Sequence, residues 1–188
     1  MTQGSSTKLV AVLGVGPRRG RRLTCAGLAS AASLAGVAAG VAASHAATQA
    51  FVSRETPATE PQVMFGVLDW GETGASEILG AAKRVVVATW GGSDVEDSLN
   101  QVVSRLVDEH GFPGGTVSVV FHEPNLNPRL VKTLARIDRL PFGGRVYCVG
   151  AFSREYHEAA GAGLARDVAL GEEPALAMFA ELWMELRL

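Results

Sequence analysis

The chain has 188 residues, of which 47% are hydrophobic, and its formal net charge is −2. That length fills one core and is short for two, so we expect a single domain over residues 1–188, with residues 1–7 as a polar, flexible tail. A charge so close to zero provides no broad basic surface for nucleic acid or for an anionic membrane, so we expect neither as a partner. Cys25 and Cys148 are too few and too far apart for a disulfide framework or a metal site, which indicates a reducing, cytoplasmic location.

The first structural signal is a strand followed by a basic turn. Leu9 to Leu13 is an unbroken apolar run, typical of a strand buried on both faces. Glycine and proline then break the strand, and four arginines gather where a helix would begin; these residues are Gly14, Gly16, Pro17, Gly20, Arg18, Arg19, Arg21 and Arg22. Because a helix N-terminus presents unpaired N–H groups and the positive end of the helix dipole, the turn predicts a site for a phosphate group.

Two other interpretations of the basic turn stay open. Arginines in a surface loop are commonly just solvated. Arg21 and Arg22, followed by the small and apolar run from Cys25 to Ala43, are also typical of a twin-arginine leader. The strand-like run before the arginines argues against a leader, because the first segment of a leader seldom contains one.

The region after the turn predicts a long helix and several short elements. We expect an alanine-rich helix from about Leu23 to His45, a short strand over Ala50 to Ser53 and a proline-containing loop over residues 54–61. Val63 to Leu68 is apolar and is typical of a strand or of a buried loop. Ala75 to Ala82 predicts a short helix.

The second half of the chain alternates apolar runs of strand length with amphipathic runs of helix length. The strands cover residues 83–90, 116–121 and 145–149, and the helices begin at Ser93, Asn127 and Pro174. Ser93 also forms a capping box with Glu96, which marks the start of its helix. Repeated alternation of this kind predicts an open parallel sheet with helices on both faces, and such sheets bind ligands at the carboxyl ends of their strands. Those ends carry the arginine turn, the loop after Trp90 and the loop after His122.

The loops at these strand ends resemble those of the NADPH-dependent FMN reductase family. The segment Gly16-Pro17-Arg18-Arg19-Gly20-Arg21-Arg22-Leu23-Thr24 is similar to the family's loop around the FMN phosphate, shifted by one residue, and Thr89-Trp90-Gly91-Gly92-Ser93 is similar to its loop along the isoalloxazine. The resemblance implies a flavodoxin-like, three-layer α/β sandwich whose five-stranded parallel sheet has the order 2-1-3-4-5. The chain departs from the family where Gly16 and Arg21 replace phosphate-binding hydroxyls, and where His122-Glu123-Pro124-Asn125 replaces a Gly-Gly loop.

The resemblance also implies a function, that of an FMN-dependent NAD(P)H oxidoreductase. Electrons would pass from NAD(P)H through FMN to free flavin, for use by a flavin-dependent monooxygenase, or to a quinone-like small molecule. That chemistry needs little acid or base from the protein, so no residue is predicted to be catalytic. Cofactor contacts are expected from Gly16, Arg18, Arg19, Arg21, Arg22 and Thr24 at the phosphate, from Trp90, Gly91, Gly92 and Ser93 along the ring, and from His122. The family further implies a homodimer or homotetramer, for which the apolar face over residues 102–106 is suitable.

Other interpretations remain for individual residues and for the whole chain. Trp90 also suits packing between a helix and a loop, Ser93 suits a helix cap, and His122 suits a hydrogen-bonded or solvent-facing place without chemistry. Altered loops are also expected of a flavodoxin-like protein that has lost flavin and acts as an interaction partner or binds another small anionic ligand. A third interpretation keeps the fold but uses the arginine turn and His122 for unrelated chemistry on a small anionic molecule.

Overall fold

A computed structural model describes residues 7–15, 18–54, 61–90, 95–112, 116–122, 146–150, 167–170 and 172–188. Within these ranges one parallel sheet contains β1 (Lys8–Val15), β2 (Ala39–Ala42), β3 (Val63–Leu68), β4 (Ala82–Trp90), β5 (Val117–His122), β6 (Val146–Gly150) and β7 (Asp167–Leu170). The strands lie in the order β2-β3-β1-β4-β5-β6-β7. The helices within the same ranges are α1 (Arg18–Leu34), α2 (His45–Val52), α3 (Ala75–Ala81), α4 (Val95–Asp108) and α5 (Glu172–Leu186).

The five central strands confirm the expected α/β, flavodoxin-like fold. Numbered among themselves in chain order, β3-β1-β4-β5-β6 reproduce the order 2-1-3-4-5, and every pair is parallel. β2 and β7, of four residues each, extend this sheet at its two edges. Neither edge strand is predicted by the sequence, because each is short and β2 consists of small residues that carry no strand signal.

β1 shows why the central strands are apolar along their whole length. Its side chains alternate between two hydrophobic clusters, with Leu9 and Leu13 on one face and Val10 and Val12 on the other, all at most 2% exposed. The first cluster includes residues of α3 and α4, and the second includes residues of α1 and α5. Because helices cover both faces of the sheet, the side chains on both faces of β1 are buried. The sequence of the strand therefore shows no alternation of apolar and polar residues.

Helices α1 and α5 pack side by side on the second face of the sheet, and their approach depends on Gly27. A Cβ atom at Gly27 would lie 2.4 Å from Cδ2 of Phe179 on α5. Phe179 itself is buried in the cluster beneath the two helices. Any side chain at position 27 would therefore force the ring of Phe179, and with it α5, to move.

The predicted helix from Leu23 to His45 is wrong at its C-terminal end. α1 begins at Arg18, before the predicted start, and ends at Leu34, and Gly36 then adopts a left-handed φ of 78°. Residues 39–42 leave the helix and pair in parallel with β3. Alanine favours helix by only a fraction of a kcal/mol per residue, so the hydrogen bonds of the sheet edge outweigh that preference.

The predicted strand over Ala50 to Ser53 is also wrong, because these residues lie at the end of α2. Ser44 caps this helix with an extended backbone, and its Oγ accepts a hydrogen bond of 3.2 Å from the N–H of Ala47. An N-cap serine supplies a partner for one of the unpaired N–H groups of the first helical turn. That cap is the sequence signal that outweighs the short apolar run near residue 51.

The other expectations that fall within the described residues are confirmed, with ends that differ by a few residues. They are β3, for which the loop alternative is excluded, together with α3, β4, α4, β5, β6 and α5. Two members of the apolar 102–106 face, Val103 and Leu106, are buried in the core, so that part of the face packs against the sheet. The tail over residues 1–6, the cap at Ser93 and the helix from Asn127 lie outside the described residues.

Candidate functional site

The three loops that the sequence singles out follow three adjacent strands. β1 pairs with β4 and β4 pairs with β5, all in parallel, so the carboxyl ends of these strands share one edge of the sheet. Strand order reverses at β1, because β2 and β3 lie on one side of it and β4 to β7 lie on the other. Open α/β sheets bind ligands in the crevice at such a reversal. The candidate site is therefore the carboxyl end of β1 together with the ends of β3 and β4.

Arg21 is the best-defined side chain of this site. It lies in the second turn of α1, is 7% exposed, and forms an ion pair with Asp69, the residue directly after β3. The guanidinium reaches Asp69 across Gly14, since a Cβ atom at Gly14 would lie 2.1 Å from Cδ of Arg21. The ion pair joins the start of α1 to the neighbouring strand, and it leaves Arg21 with little net charge to offer an anion.

A small cavity of about 30 Å³ opens beside this ion pair. Its walls come from the start of α1 and from the carboxyl ends of β2 and β3, and they are Arg21, Arg22, Ala43, Ser44, Val67 and Asp69. Arg22 is exposed, unlike Arg21. Arg22 is thus the cation on this wall that can meet a phosphate or another anion from solvent.

Thr24 and His122 contact each other in the protein interior. Thr24 is completely buried, its hydroxyl donates to the carbonyl of Gly20 at 2.9 Å, and its Oγ1 lies 2.8 Å from Nε2 of His122. The direction of the Thr24–His122 hydrogen bond follows from the tautomer of the imidazole. His122 is 3% exposed, and burial lowers its pKa to about 4, so the imidazole is neutral at pH 7. A side chain at Gly20 would crowd the ring, as its Cβ would lie 3.2 Å from Cδ2 of His122.

The site residues expected from the sequence thus have different positions in the structure. Arg21 is paired with Asp69, Arg22 is exposed at the cavity, and Thr24 and His122 contact each other beneath the start of α1. Gly16, Gly91, Gly92 and Ser93 lie outside the described residues, and so do the side chains of Arg18, Arg19 and Trp90.

Sequence reasoning did not find Asp69. Its signal is a carboxylate placed directly after an apolar strand, at the strand edge where ligands bind in parallel sheets. Asp69 can be assigned to the site only when β3 is known to lie next to β1, because that pairing brings Asp69 to the basic turn.

A second and larger cavity, of about 330 Å³, lies between the loop after β3, α3 and the end of α4. Trp70 forms its aromatic wall and meets the ring of His110 edge to face, with centroids 5.7 Å apart. The guanidinium of Arg105 lies 6.0 Å from the indole centroid and 3.5 Å from a carboxylate oxygen of Glu109. Because Arg105 is paired with Glu109, just after the end of α4, none of the described residues around this cavity is an unopposed cation.

No protein-family model and no curated protein sequence matches this chain. Among the residues that the structure describes, no group of three or more His, Cys, Asp and Glu side chains is placed to hold a metal ion. Within the same residues, none of the helices combines the length and apolar character needed to cross a bilayer. The fold and site define an α/β, flavodoxin-like protein with a glycine- and arginine-containing turn at the switch point of its sheet.

Proposed function

We propose that this chain is an NAD(P)H-dependent oxidoreductase that holds the phosphate of a nucleotide cofactor over the turn between β1 and α1. The observation that carries the proposal is the place of this turn: it leaves the central strand at the point where strand order reverses and leads directly into the N-terminus of a 17-residue helix. Backbone N–H groups at a helix N-terminus bind phosphate, and nucleotide sites of open α/β sheets recur at this position.

Gly14 lets the side chain of Arg21 lie against the base of the turn, so a phosphate would have to bind outside that space, towards solvent. Arg22 is exposed on the wall of the adjoining cavity and can form charge-assisted hydrogen bonds to phosphate oxygens. The proposal assigns phosphate binding to the first-turn amides of α1 and to Arg22, with Arg18 and Arg19 beside them, and it assigns Arg21 to shaping the turn through Asp69.

The first candidate cofactor is FMN, which the sequence resemblance implies. When bound, FMN supplies a ring that accepts hydride from NAD(P)H and passes electrons to free flavin or to a quinone-like molecule. The chain's own part is to bind the phosphate, to orient the ring along the loops after β4 and β5, and to keep water away. His122 is buried and neutral at pH 7, and this division of work requires no proton transfer from it. A homodimer or homotetramer and a monooxygenase partner belong to this candidate.

The second candidate binds the nicotinamide dinucleotide directly, without flavin. Asp69 favours it: this carboxylate ends β3, the strand next to β1 on the side away from β4, and it lines the cavity beside the glycine turn. In dinucleotide-binding sheets, an acid near the phosphate turn accepts hydrogen bonds from the adenosine ribose. FMN has a ribityl chain and no adenosine ribose, so Asp69 would be only a partner of Arg21 in the first candidate and a cofactor ligand in the second.

The experiment that tests the proposal is a set of titrations of the purified protein with FMN, NADH and NADPH, together with its visible spectrum. The FMN candidate requires flavin uptake and FMN-dependent oxidation of NAD(P)H. The dinucleotide candidate requires binding of NADH or NADPH with no gain from FMN. A colourless protein that binds none of the three contradicts the proposal and supports a flavodoxin-like protein with an interaction role.

Two arginine variants distinguish nucleotide binding at the turn from binding elsewhere on the surface. Arg22→Ala removes an exposed cation of the turn and should weaken nucleotide binding about tenfold or more, the effect of one charged hydrogen bond to phosphate. Arg105→Ala removes an arginine from the second cavity and should leave nucleotide affinity unchanged. Equal losses in the two variants would point to a general effect of net charge instead of a site at the turn.

A further inference from the structure

His45, the first residue of α2, lies between the two ends of the loop that follows β3. Its Nε2 is 2.8 Å from the carbonyl oxygen of Thr73, and its Nδ1 is 3.2 Å from the backbone nitrogen of Asp69. A carbonyl can only accept a hydrogen bond and a backbone N–H can only donate one. The two contacts therefore define the roles of the ring nitrogens: Nε2 donates to Thr73, and the lone pair of Nδ1 accepts from Asp69.

The loop over residues 69–74 is held at several points. Trp70 packs against the core and against the ring of His110. Among the described residues, the backbone hydrogen bonds of the loop are a weak one from Glu72 N to Asp69 O, 3.3 Å, one from Ala75 N to Glu72 O, 3.1 Å, and one from Ile78 N to Gly74 O, 3.0 Å. The imidazole supplies a contact at each end of the loop.

Asp69 connects this loop to the turn between β1 and α1. Its backbone N–H donates to His45, while its carboxylate pairs with Arg21, whose side chain lies against Gly14. Arg21 is 7% exposed, and a buried guanidinium is costly when its acid moves away. A shift of Asp69 would therefore also displace the Arg21 side chain from its position against Gly14, at the base of the turn.

We infer that His45 is a positioning residue: by accepting a hydrogen bond from the N–H of Asp69 it holds the Asp69 carboxylate on Arg21, and thereby sets the shape of the turn that receives the nucleotide. The effect on nucleotide binding rests on the proposed function, whereas the effect on Asp69 and Arg21 does not. The hydrogen bond from Nε2 to Thr73 orients the ring, and the Nδ1 lone pair does the positioning.

Two substitutions of His45 by residues with a side-chain amide distinguish the role of Nδ1 from the role of Nε2. Asparagine places its side-chain oxygen at the same number of bonds from the backbone as Nδ1, so His45→Asn retains an acceptor for Asp69 and loses the donor to Thr73. Glutamine places its amide nitrogen at the same number of bonds as Nε2, so His45→Gln retains the donor and loses the acceptor. Gln49→Ala is the control for a change at the other end of the loop, because Gln49 lies on the same helix, bonds Glu77 of α3 and lies against Gly74.

The test combines a readout without ligand and one with ligand. By NMR, the Asp69 amide and the Arg21 side-chain N–H should exchange with water at similar rates in wild type, His45→Asn and Gln49→Ala, and about tenfold faster in His45→Gln. In titrations with FMN, NADH and NADPH, the nucleotide that binds wild type should bind His45→Asn and Gln49→Ala with similar affinity and His45→Gln about tenfold more weakly.

The two measurements test different claims, so a negative result in one can be told from a negative result in the other. If wild type binds none of the nucleotides, the proposed function is contradicted, and the exchange rates alone decide the role of His45. If exchange at Asp69 and Arg21 is the same in His45→Gln as in wild type, or if His45→Asn and His45→Gln behave alike in both measurements, the positioning role is overturned. Thermal unfolding of each variant confirms that the comparison is made between folded proteins.

Discussion

Thr24 on α1 and His122 at the end of β5 share a hydrogen bond of 2.8 Å in the protein interior, although 98 residues separate them in the chain. The contact ties the start of α1 to the edge of the sheet where ligands are expected. Both residues are buried, and a hydrogen bond between buried polar groups offsets part of the cost of removing them from water. The bond therefore stabilises the helix N-terminus on which the proposed phosphate site depends.

Burial of His122 makes the stability of the fold depend on pH. Burial lowers the pKa of His122 from 6.5 to about 4, so between these values the unfolded chain binds a proton that the folded chain does not. The free energy of unfolding then rises with pH across this window and falls as pH drops from 6.5 towards 4, by about 3 kcal/mol if the whole shift is realised. Urea unfolding at pH 7 and at pH 5 measures the change.

His122→Gln provides the reference for that measurement. Its side-chain amide can still donate to Thr24 but does not titrate, so the variant should lose less stability on acidification than wild type. The subtraction removes the contribution of the carboxylates, which both proteins share. The same pH dependence in wild type and variant would show that His122 does not stay neutral in the fold.

Gly27→Ala should destabilise the protein through the contact between α1 and α5. The new Cβ would lie 2.4 Å from Cδ2 of Phe179, and overpacking of this kind costs about 1–3 kcal/mol. Gly80→Ala is the matched control, since Gly80 lies in α3 and a Cβ there meets no atom within 4 Å. Gly80→Ala should stabilise by about 0.4–1 kcal/mol because alanine has less freedom in the unfolded chain. Urea unfolding of both variants should give opposite signs, and equal signs would contradict the packing described.

Gly14→Ala should disturb the proposed site and the ion pair together. Its Cβ would lie 2.1 Å from Cδ of Arg21, so the guanidinium has to leave its position beside Asp69. We expect a lower free energy of unfolding and weaker nucleotide binding than in wild type. In the Arg21→Ala background the same glycine substitution should cost less stability, which a double-mutant cycle measures. Additive losses would show that Gly14 and Arg21 do not share this space.

Cys25 should be unreactive while the protein is folded. The residue is completely buried on α1, and burial raises the pKa of its thiol to about 12, so almost no thiolate is present at pH 8. In the Cys148→Ser variant, in which Cys25 is the remaining thiol, modification by iodoacetamide should be slow and should accelerate with urea as the chain unfolds. Mass spectrometry gives the rate, and rapid labelling without urea would contradict the burial of α1 on the sheet.

The sequence was sufficient to predict the strands and helices whose local residue pattern agrees with their packing in the fold. β1 and β4 are continuous apolar runs because both faces of the sheet are covered, and α4 carries an apolar stripe that the core buries. Residues 39–42 could not be assigned in this way, because an Ala-Gly-Val-Ala segment has no strong preference and becomes a strand only when β3 is beside it.

The candidate site was less predictable than the fold, because its contacts join distant parts of the chain. The glycine and arginine pattern locates the turn, and chain order alone suggests which strand ends lie near it. Asp69 and His45 give no recognisable motif, and their roles follow from the pairing of β3 with β1 and from the position of α2. Thr24 was expected to face the cofactor, and its hydrogen bond to His122 could not be foreseen from either residue's neighbours.

The most direct test of the central claim is to follow the backbone amide resonances of the protein by NMR while FMN, NADH and NADPH are added separately. We expect the largest shifts on binding at the start of α1, at Gly20, Arg21 and Arg22, with smaller ones near Asp69. Absence of binding by all three nucleotides, or shifts concentrated at Trp70 and His110 around the second cavity, would contradict it.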